Sequence, residues 1–269
     1  MSVSTEFTLN ELLACVVARV IEDEDLIFVG VGTNGRAFTL AVGIPLVAAR
    51  IAQMNQAPNA MVYWGNLLNP DLSVVPSDIK QDTFTRWPAA ACPSDDGYKC
   101  DMLTRRRFDV SFSSGAQIDR FGNLNITAIG DYRRPKVRLV GTLAQPEHLA
   151  FVRRPIIIMD LNQRSFVAKL DFMTSVGHYK GDTSRTDIGL DAGGPFLVVT
   201  DKAIFDFDPM TKEMRLSSTH PGVGRKDIFD SMGFNPIVPE NVPTTLVPSR
   251  TELNQIRNVA DPNGVLLRV

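Results

Sequence analysis

The chain has 269 residues, with 28 Lys and Arg against 30 Asp and Glu and a formal net charge of −2. This length allows one large domain or two small ones, and the near-balance of charge excludes a protein that net charge alone draws onto nucleic acid or an anionic membrane. The apolar runs are too short to span a bilayer and the first residues lack the pattern of a signal peptide, so we expect a cytoplasmic protein.

The first part of the chain alternates helical and strand-like patterns. Thr8 and Glu11 form a capping-box pattern ahead of LLACVVARVI, which predicts a helix of about four turns ending near Glu22. LIFVGV then predicts a buried strand, LVAARIAQM a helix, and NAMVYWG a second strand. A strand, a helix and a further strand in this order predict a right-handed crossover and a mostly parallel sheet.

The rest of the chain continues the alternation. FDVSFS, RPIIIMD, PFLVVTD and AIFDFD predict strands, and GRKDIFDSMG and SRTELNQIR predict helices, the last with a capping box from Ser249 to Glu252. Between the second and third predicted strands, residues 65–100 form a long proline-bearing segment that wraps the surface or covers a site. The whole pattern predicts an α/β layered fold. No linker marks a boundary, so we expect residues 1–269 to form a single domain.

Glycines after the first strand invite a dinucleotide-binding interpretation. Gly30, Gly32 and Gly35 have GxGxxG spacing, but Gly30 lies inside the strand run and no helical pattern begins at Gly35. The acidic residue expected about 20 residues further on is also absent. A tight turn at a sheet edge explains these glycines, so we expect no nicotinamide cofactor.

Metal and disulfide chemistry find little support in the sequence. The three cysteines show no CxxC spacing, and His148, His178 and His220 are scattered without an i to i+4 pair. We therefore expect no metal site.

The basic run RRPKVR at residues 133–138 lies beside glycine and polar loops, where it would hold an anionic tail or form a surface salt-bridge cluster.

Residues 115–136, GAQIDRFGNLNITAIGDYRRPK, follow FDVSFS as a block of small and polar residues. This block resembles, nearly residue for residue, the β-type subunit of family I CoA-transferases, especially the glutaconate CoA-transferase branch. The likeness extends upstream through GIPLVAARIA and NAMVYWGNLLNP and downstream through KLDFMTSVG, GPFLVVTDKAIFDFD, PGVGRKDIFDSMGF and RNVADPNG. It covers nearly the whole chain.

The resemblance implies a NagB/RpiA/CoA-transferase-like fold and a homologous α-type subunit that completes the active site in a heterodimer or heterotetramer. It also implies an acyl-CoA substrate, with coenzyme A as part of that substrate and no further cofactor. In such transferases a glutamate on the second strand attacks the thioester, passes through an acyl anhydride, and becomes a glutamyl-CoA thioester that an acceptor acid resolves.

The sequence departs from the family pattern at that glutamate. The family strand reads Val-Glu-(Ser/Asn)-Gly, and this chain reads VYWG at residues 62–65, so Tyr63 stands at the glutamate position. A tyrosine with a pKa near ~10 cannot form the same anhydride at neutral pH. The nearest acids are Asp71, which fits a turn aspartate, and Asp78. The GSGGA-like turn of the family is also replaced, by RLVGTL at residues 138–143, so the acyl pocket should differ.

Candidate site residues follow from this resemblance. The Tyr63 hydroxyl would donate a hydrogen bond to an enolate or thioester oxygen, and Trp64 would form the base of an acyl pocket. Alternatively, both side chains simply pack in the core. The candidates for substrate binding are small, polar, aromatic or basic: Trp64, Gly65, Asn66, Gly115, Gln117, Asn123, Asn125, Gly130 and Arg134.

Three functions remain open at this point. The first is a CoA-transferase whose covalent carboxylate comes from the α-type subunit. The second is a CoA-ester hydrolase, a carbon–carbon bond-cleaving enzyme or a decarboxylase of the same lineage, in which a carboxylate of the partner activates water. The third is a non-catalytic scaffold subunit. Loss of the glutamate argues against ordinary transferase action by this chain alone.

Overall fold

The computed structural model describes residues 6–32, 35–75, 87–91, 96–142, 144–190 and 193–268. The strands in these ranges are β1 (Leu26–Val29), β2 (Met61–Trp64), β3 (Leu67–Pro70), β4 (Ala89–Ala91), β5 (Val110–Ser113), β6 (Gln117–Ile118), β7 (Leu124–Asn125), β8 (Ala128–Ile129), β9 (Val137–Arg138), β10 (Arg154–Ile158), β11 (Leu197–Val199), β12 (Ala203–Phe207) and β13 (Met214–Thr219). The helices are α1 (Leu9–Ala18), α2 (Arg36–Phe38), α3 (Ile44–Met54), α4 (Asp96–Thr104), α5 (Gln145–Phe151), α6 (Ser184–Asp187), α7 (Arg225–Phe229) and α8 (Arg250–Gln255), with π-helical turns at Thr39–Gly43 and Ile256–Ala260.

The chain divides into two compact units. Unit 1 comprises Met1–Met102, Phe108–Phe112 and Leu246–Val269, and unit 2 comprises Leu103–Arg107 and Ser113–Thr245. In unit 1, β1 pairs in parallel with β2 and β5, and β3 and β4 extend the sheet with antiparallel pairing. In unit 2, β10 and β11 are parallel, and β12 and β13 follow antiparallel. The predicted α/β class is confirmed, and the single domain stays a prediction.

Helix α1 starts as its sequence predicts and ends earlier. The Thr8 hydroxyl accepts from the Glu11 amide at 3.2 Å, and the Glu11 carboxylate accepts from the Thr8 amide at 2.7 Å, so the capping box is confirmed. The predicted end near Glu22 is wrong, because α1 ends at Ala18. After Ala18 the amides of Val20 and Ile21 bond three residues back, and this tighter turn stops the α-helix.

A continuous helical segment runs from Arg36 to Met54. It begins directly after Gly35, which corrects the expectation that no helix starts there, and Gly35 has a φ of +58° that favours glycine. The segment has 19 residues and a mean hydropathy of 1.6, enough by length and composition to cross a membrane, but 67% of its most apolar window is buried. Burial of this kind is typical of a core helix.

The strand predictions hold for the long apolar runs and fail for the short strands. Strands β3 and β4 and the first part of helix α4 lie inside residues 65–100, where the sequence predicts only a segment that wraps the surface or covers a site. Strands β6 to β9 have two residues each, too few to show an alternating pattern, and they escape prediction. The sequence analysis also does not predict strand β13, because its sequence MRLSST carries few apolar residues.

Burial lowers the pKa of three histidines of unit 2, His148, His178 and His220, so the stability of this unit depends on pH. Burial lowers the pKa of His148 and of His178 from 6.5 to about 4, and a bond from His178 Nε2 to the Pro195 carbonyl oxygen opposes the shift at His178. Between these pH values the unfolded chain binds more protons than the folded chain. We therefore expect the unfolding free energy to fall as the pH drops from 6.5 to about 4, by up to about 3 kcal/mol each for His148 and His178.

Denaturant titrations at a series of pH values would measure this dependence. The His178→Gln variant should show a shallower loss of stability than the wild type over the same range, because one of the histidines with a lowered pKa is gone. Equal slopes for the two proteins would contradict a depressed histidine pKa.

Candidate functional site

Tyr63, the residue that the resemblance aligns with the family glutamate, lies in the core of unit 1. Tyr63 on β2 is opposite Phe28 on β1 in the parallel register, and its side chain is 0% exposed. The ring centroid of Tyr63 lies 5.9 Å from that of Phe28 and 5.6 Å from that of Phe108, the latter in an edge-to-face arrangement. Such pairs stabilise beyond the area they bury. The geometry favours packing as the role of Tyr63.

The adjacent tryptophan also packs. Trp64 is 2% exposed and meets Trp87 edge to face, with ring centroids 5.0 Å apart. The Trp87 indole N–H in turn donates to the Asp71 carbonyl oxygen at 2.7 Å, which fixes the second ring. Trp64 thus forms part of an ordered aromatic pair at the end of β2.

A tight turn follows Trp64. Gly65 and Asn66 join β2 to β3 as a two-residue hairpin loop, since Trp64 pairs directly with Leu67. Gly65 has a φ of +59°, and a positive φ at the first loop position of such a hairpin favours glycine. Its amide donates to the Val29 carbonyl oxygen at 3.0 Å, so the turn is tied to the end of β1.

Asp71 is the nearest described acid after β2 in the sequence, and it is a turn residue. It is exposed, and one carboxylate oxygen accepts from the Ser73 hydroxyl at 2.6 Å and the Ser73 amide at 2.9 Å. These hydrogen bonds lower the pKa of Asp71, so it is ionised at neutral pH. The geometry of Asp71 is that of a local aspartate turn. The other acid considered from the sequence, Asp78, lies outside the described residues, as do Cys92 and Leu143.

In unit 2 the motif asparagine Asn123 is fully engaged within the chain. It is 0% exposed, and its Oδ1 accepts from the amides of Gly177 and Tyr179 at 2.8 and 3.1 Å. Its Nδ2 donates to the Asp119 carboxylate at 2.8 Å and to the Tyr179 carbonyl oxygen at 2.7 Å. Asn123 therefore joins its own turn to residues 177–179.

Asn125 and Gln117 form a second buried network. Asn125 Nδ2 donates to Gln117 Oε1 at 2.7 Å and to the Ala128 carbonyl oxygen at 2.8 Å. Gln117 Nε2 donates to the Asp171 carboxylate at 3.1 Å, and the same carboxylate oxygen accepts from the Gly130 amide at 3.0 Å. Asp171 thus ties β6 to the glycine that follows β8.

The remaining motif candidates differ in exposure. A side chain at Gly115 would lie 3.1 Å from Leu124 and 3.2 Å from the Gln117 carbonyl oxygen, so close packing favours glycine at this position. The Arg134 side chain is exposed, while its backbone amide bonds to Asp131. Arg134 is therefore free to contact an anion from solvent.

The structure places the candidates in two groups. Tyr63, Trp64, Gly65 and Asn66 are contiguous in unit 1, and the motif residues cluster around β6 to β9 in unit 2. Sequence reasoning missed Asp171. This residue lies in a loop whose sequence carries no local signal, and it bonds to Gln117, which is 54 residues earlier in the chain. In the described ranges, no group of three or more His, Cys, Asp or Glu side chains could hold a metal ion.

Comparison with known proteins decides the family. The family model described as Coenzyme A transferase matches residues 11–231. The chain belongs to the coenzyme A transferase family. It is 32% identical to the B-type subunit of 3-oxoadipate CoA-transferase from Pseudomonas knackmussii, over 93% of this chain and 92% of that protein. It is 30% identical to the cholesterol ring-cleaving hydrolase IpdB subunit of Mycobacterium tuberculosis, over 96% of each.

The fold of this CoA-transferase family member matches solved structures as well. Glutaconate coenzyme A-transferase from Acidaminococcus fermentans superposes with a TM-score of 0.83 at 28% sequence identity, covering 98% of this chain and 99% of that chain. The resemblance predicted from residues 115–136 is thereby confirmed at the level of the family and its β-type subunits.

Proposed function

We propose that this chain is the β-type subunit of a heteromeric cytoplasmic enzyme that acts on an acyl-CoA thioester, with an active site completed by a homologous α-type subunit. The CoA-transferase relatives named as subunits of this type span nearly the whole chain, which supports a subunit role. Coenzyme A enters as part of the substrate, and the proposal requires no other cofactor.

The observation that carries the mechanism is the aromatic environment of Tyr63. The position that the family resemblance assigns to a nucleophilic glutamate holds a phenol, 0% exposed between Phe28 and Phe108. A phenol in this setting has no carboxylate with which to form an acyl anhydride. In our proposal the α-type subunit supplies the carboxylate, as covalent nucleophile or as general base for water.

This chain then contributes a shaped, rigid surface to the substrate. Networks around Asn123 and Asn125 hold the loop in one conformation, so backbone amides near Gly115 and Gly130 are positioned without reorganisation. The exposed Arg134 guanidinium suits a carboxylate or phosphate of the ligand. Gln117 supports this surface through its bond to the Asp171 carboxylate.

Hydrolysis or carbon–carbon bond cleavage is the second candidate. The replaced glutamate favours it, and one relative at 30% identity over 96% of the chain is named as a ring-cleaving hydrolase subunit. In this case water or a partner carboxylate attacks the acyl group, and no acceptor acid is needed.

Co-purification with the cognate α-type subunit tests the proposal. The complex would be assayed against a panel of acyl-CoA thioesters, with and without an acceptor acid. We expect turnover by the complex and none by either subunit alone. Exchange that requires the acceptor identifies a transferase, and free CoA or a cleaved acyl product without acceptor identifies the second candidate. A complex inert toward every thioester would contradict the proposed function and favour a scaffold.

A further inference from the structure

The β8–β9 hairpin of unit 2 exposes an apolar patch. Ala128 pairs with Arg138 and Ile129 with Val137, and the turn between them carries Tyr132. Tyr132 is 52% exposed, Val137 49% and, just beyond β9, Val140 81%. Side chains alternate along a strand, so Val140 lies on the same face as Arg138, which contacts Tyr132, and Val137 lies on the opposite face. Exposed apolar side chains grouped on one face are typical of a surface that another molecule covers.

The same hairpin concentrates positive charge. Arg133, Lys136 and Arg138 are exposed along with Arg134, and within the described part of the chain none of the four pairs with a carboxylate. The neighbouring acid Asp131 accepts instead from the backbone amides of Arg133 and Arg134. The four cations therefore outnumber the one carboxylate of their hairpin, and none of them forms an ion pair with it.

The patch is ordered before anything binds it. Tyr132 stacks on Phe172 with ring centroids 4.9 Å apart and an interplanar angle of 21°. The Arg138 guanidinium carbon lies 5.0 Å from the Tyr132 centroid, and Arg138 Nη2 donates to the Tyr132 carbonyl oxygen at 3.1 Å. Side chains already held in place lose little conformational entropy on association.

Composition and charge identify the kind of occupant. Tyrosine and arginine are enriched at protein–protein interfaces and among residues that carry binding energy. A phosphate group would use the cations but would leave Val140 exposed. A second copy placed patch to patch would set like charges against each other. A protein surface with an apolar centre and acidic rim satisfies both features.

We propose that the β8–β9 hairpin, with Tyr132 and Val140 at its centre and Arg133 and Lys136 at its rim, docks the α-type subunit. This inference rests on the proposed function for the existence of that partner. It adds which surface of the chain the partner covers and that the covering surface is acidic.

Binding of purified variants to the α-type subunit tests the assignment. Val140→Asp should raise the Kd at least about tenfold, since it places a carboxylate in the apolar centre. The double variant Arg133→Glu, Lys136→Glu should also raise the Kd and remove most of the salt dependence of the wild-type association. Met210→Asp is the matched control, because Met210 is 80% exposed in unit 2 on the β12–β13 turn, and its Kd should stay within about twofold.

The outcomes separate this inference from the proposed function. If the wild-type chain fails to bind the α-type subunit, the proposed function itself fails. If the wild type binds and the hairpin variants bind equally well, the docking surface is wrong. Unchanged partner binding with weakened binding of adenosine 3′,5′-bisphosphate would make the hairpin an anion site instead. Loss of self-association alone would make it a contact between copies.

Discussion

Replacing Tyr63 with alanine is expected to lower the unfolding free energy of the chain by about 3–5 kcal/mol, the usual range for removing a large buried aromatic side chain. Tyr63 is 0% exposed and contacts the rings of Phe28 and Phe108, so alanine leaves a cavity among side chains that cannot collapse into it. Urea denaturation of the isolated chain measures the change.

Tyr63→Phe is the matched variant for the same position. It keeps the ring and removes only the hydroxyl, so we expect a stability change below about 1.5 kcal/mol. In the complex with the α-type subunit its kcat should stay within about threefold of the wild type, because packing rather than proton or hydrogen-bond donation is the role the geometry favours. A fall in kcat of about a hundredfold or more, with normal stability, would show instead that the hydroxyl stabilises a developing oxyanion.

Asn123→Ala is expected to destabilise the chain by about 3–5 kcal/mol, although it removes only a small side chain. The substitution leaves the amides of Gly177 and Tyr179, the Tyr179 carbonyl oxygen and the Asp119 carboxylate short of a partner in a buried region. Burial already raises the pKa of Asp119, and the loss of the Asn123 side-chain donor would raise it further.

The control for Asn123 is an asparagine without such a network. Asn258 is exposed and bonds only to Asn254, so Asn258→Ala should change the unfolding free energy by less than about 0.5 kcal/mol. If Asn123→Ala is as mild as Asn258→Ala, the motif network does not hold the loop. In that case Asn123 would be better explained as a direct ligand contact.

Sequence reasoning succeeded where the determining interactions are local. The capping boxes at Thr8 and Ser249 use residues three positions apart, and both form as predicted. Long apolar runs such as β10 show their burial in the sequence itself, because both faces of an interior strand are covered. Family membership was also readable, since residues 115–136 form a long motif.

Sequence reasoning failed where contacts between residues far apart in the chain determine the local structure. The two-residue strands depend on pairing partners that no local pattern indicates. Asp171 holds Gln117 and Gly130 from a separate loop, so its role is visible only in the folded chain. Likewise, the sequence left open whether Tyr63 donates a hydrogen bond or packs, and the contacts of its ring with Phe28 and Phe108, elsewhere in the chain, favour packing.

The central claim is that the complex processes an acyl-CoA thioester without a covalent bond to this chain. Intact mass spectrometry of both subunits, after incubation of the active complex with an acyl-CoA substrate, tests it most directly. We predict turnover with the mass of this chain unchanged, and with any adduct confined to the α-type subunit. A CoA adduct on this chain would show that one of its own carboxylates is the nucleophile, and would contradict the claim.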